Sequence, residues 1–233
     1  MQKPPEGMIR LSELSIRWPE LLHLKHSGSF TYGADQIWYP VRWKRMAGCG
    51  PTSASHLIYY LSRTREDCRA LCPYAADTRD GFIKLMQEVW NYVTPGMRGV
   101  NRPSILTEGV KRFGQERGVA LSAKTMEISQ DVSNRPRVAA VISFLSEQIS
   151  GDLPVAFLNL SNGNVKNLDN WHWVTIVGLD RQTGSLIVYD QKEKGTVDLA
   201  LWMETTKIGG DFVSIFPKNQ DPGYEDPRIK SEV

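Results

Sequence analysis

The sequence predicts an α+β domain, helical in its first part and rich in β-strand in its second. Up to about residue 150, apolar residues recur at helical spacing in windows that end at Gly or Pro. Beyond that point, short runs of β-branched and aromatic residues alternate with turn residues, and the segment DRQTGS indicates a tight hairpin connection. Helices followed by strands are typical of the α+β class.

The helical windows each place their apolar residues on one face. They are 51–63, 80–92, 103–118 and 137–149. The first of them begins with a proline, which suits the first position of a helix. The strand candidates are bounded by turn residues on both sides. They are 154–160, 173–179, 186–189 and 212–216.

Three parts of the chain differ in character. Residues 1–38 are irregular and predict an N-terminal arm, 39–217 predict the folded domain, and 218–233 are polar and Pro-rich, which predicts a loose C-terminal tail. A length of 233 residues leaves ample room for a hydrophobic core.

Composition argues against several classes of partner. Hydrophobic residues make up 41% of the chain and the net charge is +2, so no charge excess favours nucleic acid or a membrane surface. No window approaches the ~20 apolar residues of a membrane span, and the start lacks the apolar core of a secretory signal. We therefore expect a cytoplasmic protein with neither partner. The sequence does not indicate the oligomeric state.

The three cysteines predict reduced thiols, because an odd, small number does not suit a disulfide framework. Cys68 and Cys72 lie four residues apart, but no further ligands at metal-site spacing accompany them. We therefore expect no metal site and no cofactor.

Cys49 has the surroundings of an activated nucleophile. It lies in AGCGPTSA, just before the predicted helix, where backbone N–H groups and the helix dipole favour an anion. Gly48 and Gly50 on either side allow the backbone or a substrate to approach closely. A thiolate at a helix start is the reactive form of cysteine, whereas the alternative is a buried structural thiol at a helix cap.

His172 is the best candidate for the accompanying base. His56 lies seven residues beyond Cys49, which on a helix is roughly 10 Å along the axis and too far to take the thiol proton. His23 and His26 lie in the arm and are predicted to be packing or surface residues. His172 opens a strand directly after a polar loop, which suits a base facing a cleft. The alternative is a strand-end histidine satisfied by a neighbour.

Asp190 completes a possible triad. It ends the strand after the one that His172 opens, and a hairpin joins the two strands, so the two residues are expected to lie side by side. A carboxylate there would fix the tautomer and orientation of the imidazole. The alternative is an aspartate that only forms a turn.

Together, CGPTSA at a helix start, HWVTIVGLD opening a strand and VYD ending the next resemble the papain-like cysteine peptidase superfamily. The similarity is greatest to the bacteriocin-processing (double-glycine leader, peptidase C39) enzymes and their stand-alone bacterial relatives, over about residues 39–216. The resemblance implies a papain-like fold. It also implies that Cys49 is the nucleophile, His172 the general base and acid, and Asp190 the residue that orients it.

One position departs from the family pattern. The family places a glutamine, which helps to bind the oxyanion, six residues before the cysteine, and here that residue is Trp43. An indole N–H can donate one hydrogen bond, so Trp43 is the oxyanion candidate beside the backbone N–H of Cys49. Gln36, thirteen residues before Cys49, is expected to lie too far away.

Substrate contacts are predicted next to the two candidate catalytic elements. Gly48 and Gly50 flank the thiol, while Asn170 and Trp171 end the polar loop 161–170 before His172, a candidate lid or substrate-binding edge. Trp171 and Trp173 are predicted to face away from the imidazole on a regular strand.

The leading hypothesis is a cysteine hydrolase that cleaves peptide or other amide bonds through an acyl-thioenzyme. An acyltransferase or transglutaminase-like enzyme would use the same triad with an amine acceptor. A non-catalytic papain-like domain that binds a peptide is the third hypothesis, and Trp43 is the feature that favours it.

Overall fold

The structure is a computed structural model that describes residues 13–220 of the chain. The tail predicted from residue 218 therefore lies almost entirely outside the described residues. The helices are α1 Arg42–Ala47, α2 Cys49–Thr64, α3 Arg79–Trp90, α4 Pro103–Gln115, α5 Val138–Ser150 and α6 Leu199–Thr205. The strands are β1 Glu13–Ser15, β2 His23–His26, β3 Ser29–Tyr32, β4 Leu121–Ile128, β5 Val155–Asn159, β6 His172–Asp180, β7 Ser185–Asp190, β8 Glu193–Asp198 and β9 Gly210–Pro217.

One antiparallel sheet organises the second half of the chain. Its strand order is β4-β9-β5-β6-β7-β8, and β1 joins it by pairing with the end of β6. Strand β5 pairs with the first half of β6 and β1 with the second half. Strand β7 pairs along the other edge of β6, so β6 lies in the interior of the sheet. Strands β2 and β3 form a separate hairpin.

Helix α2 is the buried centre of the helical half. All of its residues from Cys49 to Ser62 are buried, because apolar side chains at helical spacing share the helix with small residues that pack closely. On β6, Thr175 hydrogen-bonds Ser53 of this helix, at 3.0 Å between the two hydroxyl oxygens. Helix α2 therefore lies directly against the sheet.

Helix α6 packs on the other face of the sheet. Trp202 of this helix packs against the rings of Phe157 and Phe212, which stack on each other at 4.7 Å between centroids. Phe157 is the cross-strand partner of Val174, the neighbour of Thr175 on β6. Since successive residues of a strand point to opposite faces, α2 and α6 lie on opposite sides.

The fold class is as predicted, α+β with a helical first half, the nucleophile candidate at a helix start and an antiparallel β-rich second half. This is the layout that the papain-like resemblance implied. Among the described residues, no helix is both long enough and apolar enough to cross a membrane.

Candidate active site

Cys49 is the first residue of α2, and Gly48 separates it from the end of α1. Two close approaches require the flanking glycines. A Cβ on Gly48 would lie 2.6 Å from the ring of Tyr39, and one on Gly50 would lie 2.6 Å from the Cβ of Val100. Side chains of the protein itself therefore occupy the space beside both glycines. The packing of Tyr39 and Val100 against the two glycines holds the thiol at the start of the helix.

His172 and Asp190 lie side by side, as the hairpin pattern predicts. Strand β6 begins at His172 and the antiparallel strand β7 ends at Asp190, so the two side chains meet at one edge of the sheet. The Nε2 atom of His172 lies 2.6 Å from Oδ1 of Asp190. The His172 side chain is 9% exposed and that of Asp190 is 22% exposed, so water competes little for this contact.

The partners of His172 favour its charged form. Burial by itself lowers the pKa of the imidazole, but the hydrogen bond with Asp190 and the charge of its carboxylate, together with the neighbouring Cys49, raise it to about 10. Since Nε2 faces Asp190, Nδ1 is the ring nitrogen left for the thiol. The arrangement therefore favours an imidazolium beside the Asp190 carboxylate.

A small polar cavity brings the three candidate catalytic residues together. Cys49, His172 and Asp190 all line it, at the point where the start of α2 meets the ends of β6 and β7. His56 and Gln36 line the same cavity. Within the described residues, no cluster of His, Cys, Asp or Glu has the composition of a metal site.

The expectation that Gln36 lies too far from Cys49 is wrong. The chain turns back after the short 3-10 helix Gln36–Trp38, and this brings the glutamine to the cavity. Asp35 caps that helix by accepting from the N–H of Ile37 at 3.0 Å. The Nε2 atom of Gln36 donates to the carbonyl oxygen of Arg45 at 2.8 Å. Spacing along the chain gave the wrong answer because α1 lies between Gln36 and Cys49.

Trp43 and Trp171 lie on a different side of the thiol. Both line an apolar groove that also touches Cys49, and neither lines the polar cavity. Trp171 precedes β6 with a φ of 55°, so the regular alternation of a strand does not apply to it, and it is 49% exposed. Trp173 instead points into the core and donates from Nε1 to the carbonyl oxygen of Val100 at 2.5 Å.

Asn170 holds the polar loop in shape. Its Oδ1 accepts from the backbone N–H of Asn162 at 2.7 Å, and the neighbouring Asp169 accepts from the side-chain amide of Gln191 at 2.8 Å. Neither cavity that borders the thiol includes Asn170 among the residues lining it. Its observed contacts are thus within the loop region.

The other histidines pack as predicted. His56 is buried in α2 and hydrogen-bonds Thr175 of β6. His23 lies between the rings of Phe30 and Tyr32, and His26 packs against a tryptophan ring. The cysteines Cys68 and Cys72 are free and fully buried, and burial raises the pKa of both thiols.

Comparison with known proteins adds a structural likeness. No protein-family model matches the chain, and no curated protein matches it. Among solved structures, the Pseudomonas avirulence protein AvrPphB is similar over 72% of this chain and 90% of its own, with a TM-score of 0.34 and 9% sequence identity. The chemistry of the site rests on this chain's own residues.

Proposed function

We propose that this protein is a cysteine hydrolase that cleaves peptide or other amide bonds. The observation that carries the proposal is the shared cavity, in which the thiol at the start of α2 lies beside an imidazole bonded to Asp190 at 2.6 Å. A nucleophile, a base and a group that orients the base are the parts that acyl transfer requires.

The reaction follows from these positions. The Cys49 thiolate attacks the carbonyl carbon, and the carbonyl electron pair moves onto oxygen. When the tetrahedral intermediate collapses, the C–N bond breaks and the amine leaves with a proton from His172, which leaves an acyl-thioenzyme. His172 then takes a proton from water, whose oxygen attacks the thioester carbonyl. The C–S bond breaks, which releases the acid and restores the thiolate beside protonated His172.

Gln36 is the proposed side-chain donor to the oxyanion, in place of Trp43. Its amide nitrogen carries two protons, and the bond to the Arg45 carbonyl uses one. Gln36 lines the same cavity as Cys49, and in this proposal its second amide proton faces the oxyanion there. The backbone N–H of Cys49 supplies the other donor, since the first N–H groups of a helix have no partner within it. If Gln36 supplies this donor, Trp43 does not weigh against catalysis and no longer favours the peptide-binding hypothesis.

The rate of Cys49 alkylation by iodoacetamide against pH tests the ion pair. In the wild type we expect fast alkylation down to about pH 6, because the thiol proton resides on His172. In His172→Ala we expect the rate at about pH 6 to fall by ~10-fold or more. Mass spectrometry assigns the label, and His26→Ala serves as the matched control because His26 lies outside the cavity.

Hydrolysis itself is tested with a proteome-derived peptide library. We expect new N- and C-termini after incubation with the wild type and none with Cys49→Ala. Equal digestion by both proteins, or an alkylation profile that His172→Ala leaves unchanged, would overturn the proposal.

A further inference from the structure

An apolar groove borders Cys49 on the side away from His172. It has a volume of about 610 Å³, and its walls come from α1, from the turn around Met97 and from the residue before β6. Its main side chains are those of Trp43, Met46, Met97, Arg98 and Trp171.

The apolar side chains of the groove are unusually exposed. Met97 is 98% exposed, Met46 67%, Trp171 49% and Trp43 46%. Single exposed apolar residues are ordinary on a protein surface, whereas several that line one groove mark a binding site. Aromatic rings provide large rigid contact areas, and methionine adapts to the shape of what it contacts.

Backbone geometry also indicates that these residues are placed for binding. Met97 lies at the tip of a tight turn, closed by the backbone bonds between Gly96 and Gly99 at 3.0 and 3.2 Å. Polar residues or glycine usually occupy such a tip. Trp171 has a φ of 55°, a region that bulky side chains rarely adopt and that is concentrated at functional sites.

Of the residues that the structure describes, Cys49 is the one that lines both this groove and the polar cavity of His172. A carbonyl carbon that reaches the sulfur therefore has the catalytic groups on one side and the groove on the other. The group attached next to that carbonyl is the part of a substrate that reaches the groove.

We propose that the groove binds a bulky apolar side chain next to the scissile carbonyl of a peptide substrate. The inference rests on the proposed function and names its substrate class. A peptide is favoured over a fatty acyl chain because the walls of the groove are open to solvent, as the exposed side chains of Met46 and Met97 show, so a long acyl chain would stay partly in water. Arg98 is the one charged residue among those lining the groove in the described part of the chain, so an acidic neighbour in the peptide is favoured over a basic one.

The test compares three chloromethyl ketones that alkylate Cys49, the thiolate displacing chloride to form a thioether. One is an acetylated dipeptide probe ending in phenylalanine, one ends in glycine, and one carries a decanoyl chain. We expect the phenylalanine probe to react at least about tenfold faster than the glycine probe. Equal rates overturn the proposal, and a fastest rate with the decanoyl probe overturns the peptide assignment in favour of an acyl chain.

Variants link the preference to the groove. Met97→Ser should reduce the ratio of phenylalanine to glycine rates several-fold, and the ratio cancels any change in the thiol itself. Val132→Ser is the matched control, because Val132 is an exposed apolar residue (72%) that does not line the groove. A ratio unaffected by Met97→Ser and by Trp171→Ala would overturn the assignment.

A binding measurement separates failure of this inference from failure of the proposed function. In Cys49→Ala no chemistry occurs, so NMR titration of the Met97 methyl group with acetyl-Gly-Phe-amide and acetyl-Gly-Gly-amide reports the groove alone. Selective binding of the phenylalanine peptide supports the groove even if alkylation shows an ordinary thiol. Equal shifts from both peptides overturn it even if Cys49 and His172 form a reactive pair.

Discussion

Two buried histidines line the same cavity beside Cys49, and their surroundings change their pKa values in opposite directions. His56 on α2 is 3% exposed, and burial lowers its pKa to about 3. His172 on β6 is 7% exposed, and although burial acts to lower its pKa as well, Asp190 and Cys49 raise it to about 10. Burial is nearly equal in the two cases, so the partners decide the outcome.

The partners of His56 are all neutral. Its Nε2 accepts from the backbone N–H of Ala34 at 2.7 Å, so Nδ1 carries the proton and donates to the Thr175 hydroxyl at 2.9 Å. That hydroxyl lies 3.0 Å from the oxygen of Ser53, which donates to the carbonyl oxygen of Val174 at 3.3 Å. This series of hydrogen bonds between neutral groups keeps the imidazole of His56 uncharged and joins α2 to the sheet. His56 is therefore a structural residue, while His172 has the partners of a catalytic one.

Asp190→Asn should produce the largest change, because it removes the carboxylate that distinguishes His172 from His56. An asparagine can still accept through its oxygen, but without the charge the pKa of His172 should fall, and peptide cleavage should drop by ~10²–10⁴. The pH profile of Cys49 alkylation and the cleavage rate measure both effects. Asp169→Asn is the control, since that exposed carboxylate contacts Gln191 and not His172. An unchanged pH profile would show that Asp190 does not set the state of the imidazole.

Gln36→Ala should have the next largest effect. If its amide stabilises the oxyanion, cleavage falls by ~10²–10³ while the pH profile of alkylation keeps its midpoint, because alkylation forms no oxyanion. Trp43→Ala is the comparison, measured on a peptide with glycine before the scissile bond so that the groove next to Trp43 stays empty, and a loss at Trp43 greater than that at Gln36 would return the role to the indole. Cleavage rates of the two variants on one peptide decide between them.

Thr175→Val tests the structural side of the comparison. Valine has nearly the same shape but cannot accept from Nδ1 of His56, and a buried donor left without a partner costs about 1–3 kcal/mol. We expect the free energy of unfolding, measured with urea, to fall by that amount. We expect alkylation of Cys49 to keep its pH dependence. A stable variant would mean that the ring finds another partner.

The sequence predicted the elements whose pattern is local. Helix α2 was expected from its apolar spacing and from Pro51, and the structure extends it by two residues to begin at Cys49. The His172–Asp190 pair followed from hairpin geometry, since adjacent strand ends must meet. Strand β1 was not predicted, because three residues carry too little pattern and pairing with β6 stabilises them.

Features that depend on distant parts of the chain were missed. Gln36 reaches the cavity only because the chain turns back before α1, which no spacing rule shows. The groove draws on residues as far apart in sequence as Trp43 and Trp171, each of which alone resembles an ordinary exposed aromatic. The resemblance indicated that a glutamine should bind the oxyanion. The nearest glutamine before Cys49, which is Gln36, would have been a better candidate than the residue found by counting six positions back.

The smallest expected effect is a pH dependence of stability that only His172 should show. Its pKa is about 10 in the folded chain against an ordinary value of 6.5, and Asp190 is one of the groups that raise it. In the proposed ion pair the proton on His172 is offset by the one that Cys49 gives up, so the test uses Cys49→Ala, in which no thiol exchanges a proton with the ring. There the folded state holds a proton that the unfolded state loses, and this contribution is complete below about pH 6.5 and declines as the pH rises above it. Between about pH 6.5 and 8.5, the stability advantage of Cys49→Ala over Cys49→Ala/Asp190→Asn should therefore shrink steadily. Urea unfolding of both proteins across that range measures this change in stability.

His56 should give a pH dependence of the opposite sign. Because burial lowers its pKa to about 3, its contribution to stability declines only as the pH falls below about 6.5. An advantage of Cys49→Ala over the double variant that stays constant between about pH 6.5 and 8.5 would mean that His172 is neutral in the folded chain, and the two histidines would then differ in position but not in charge.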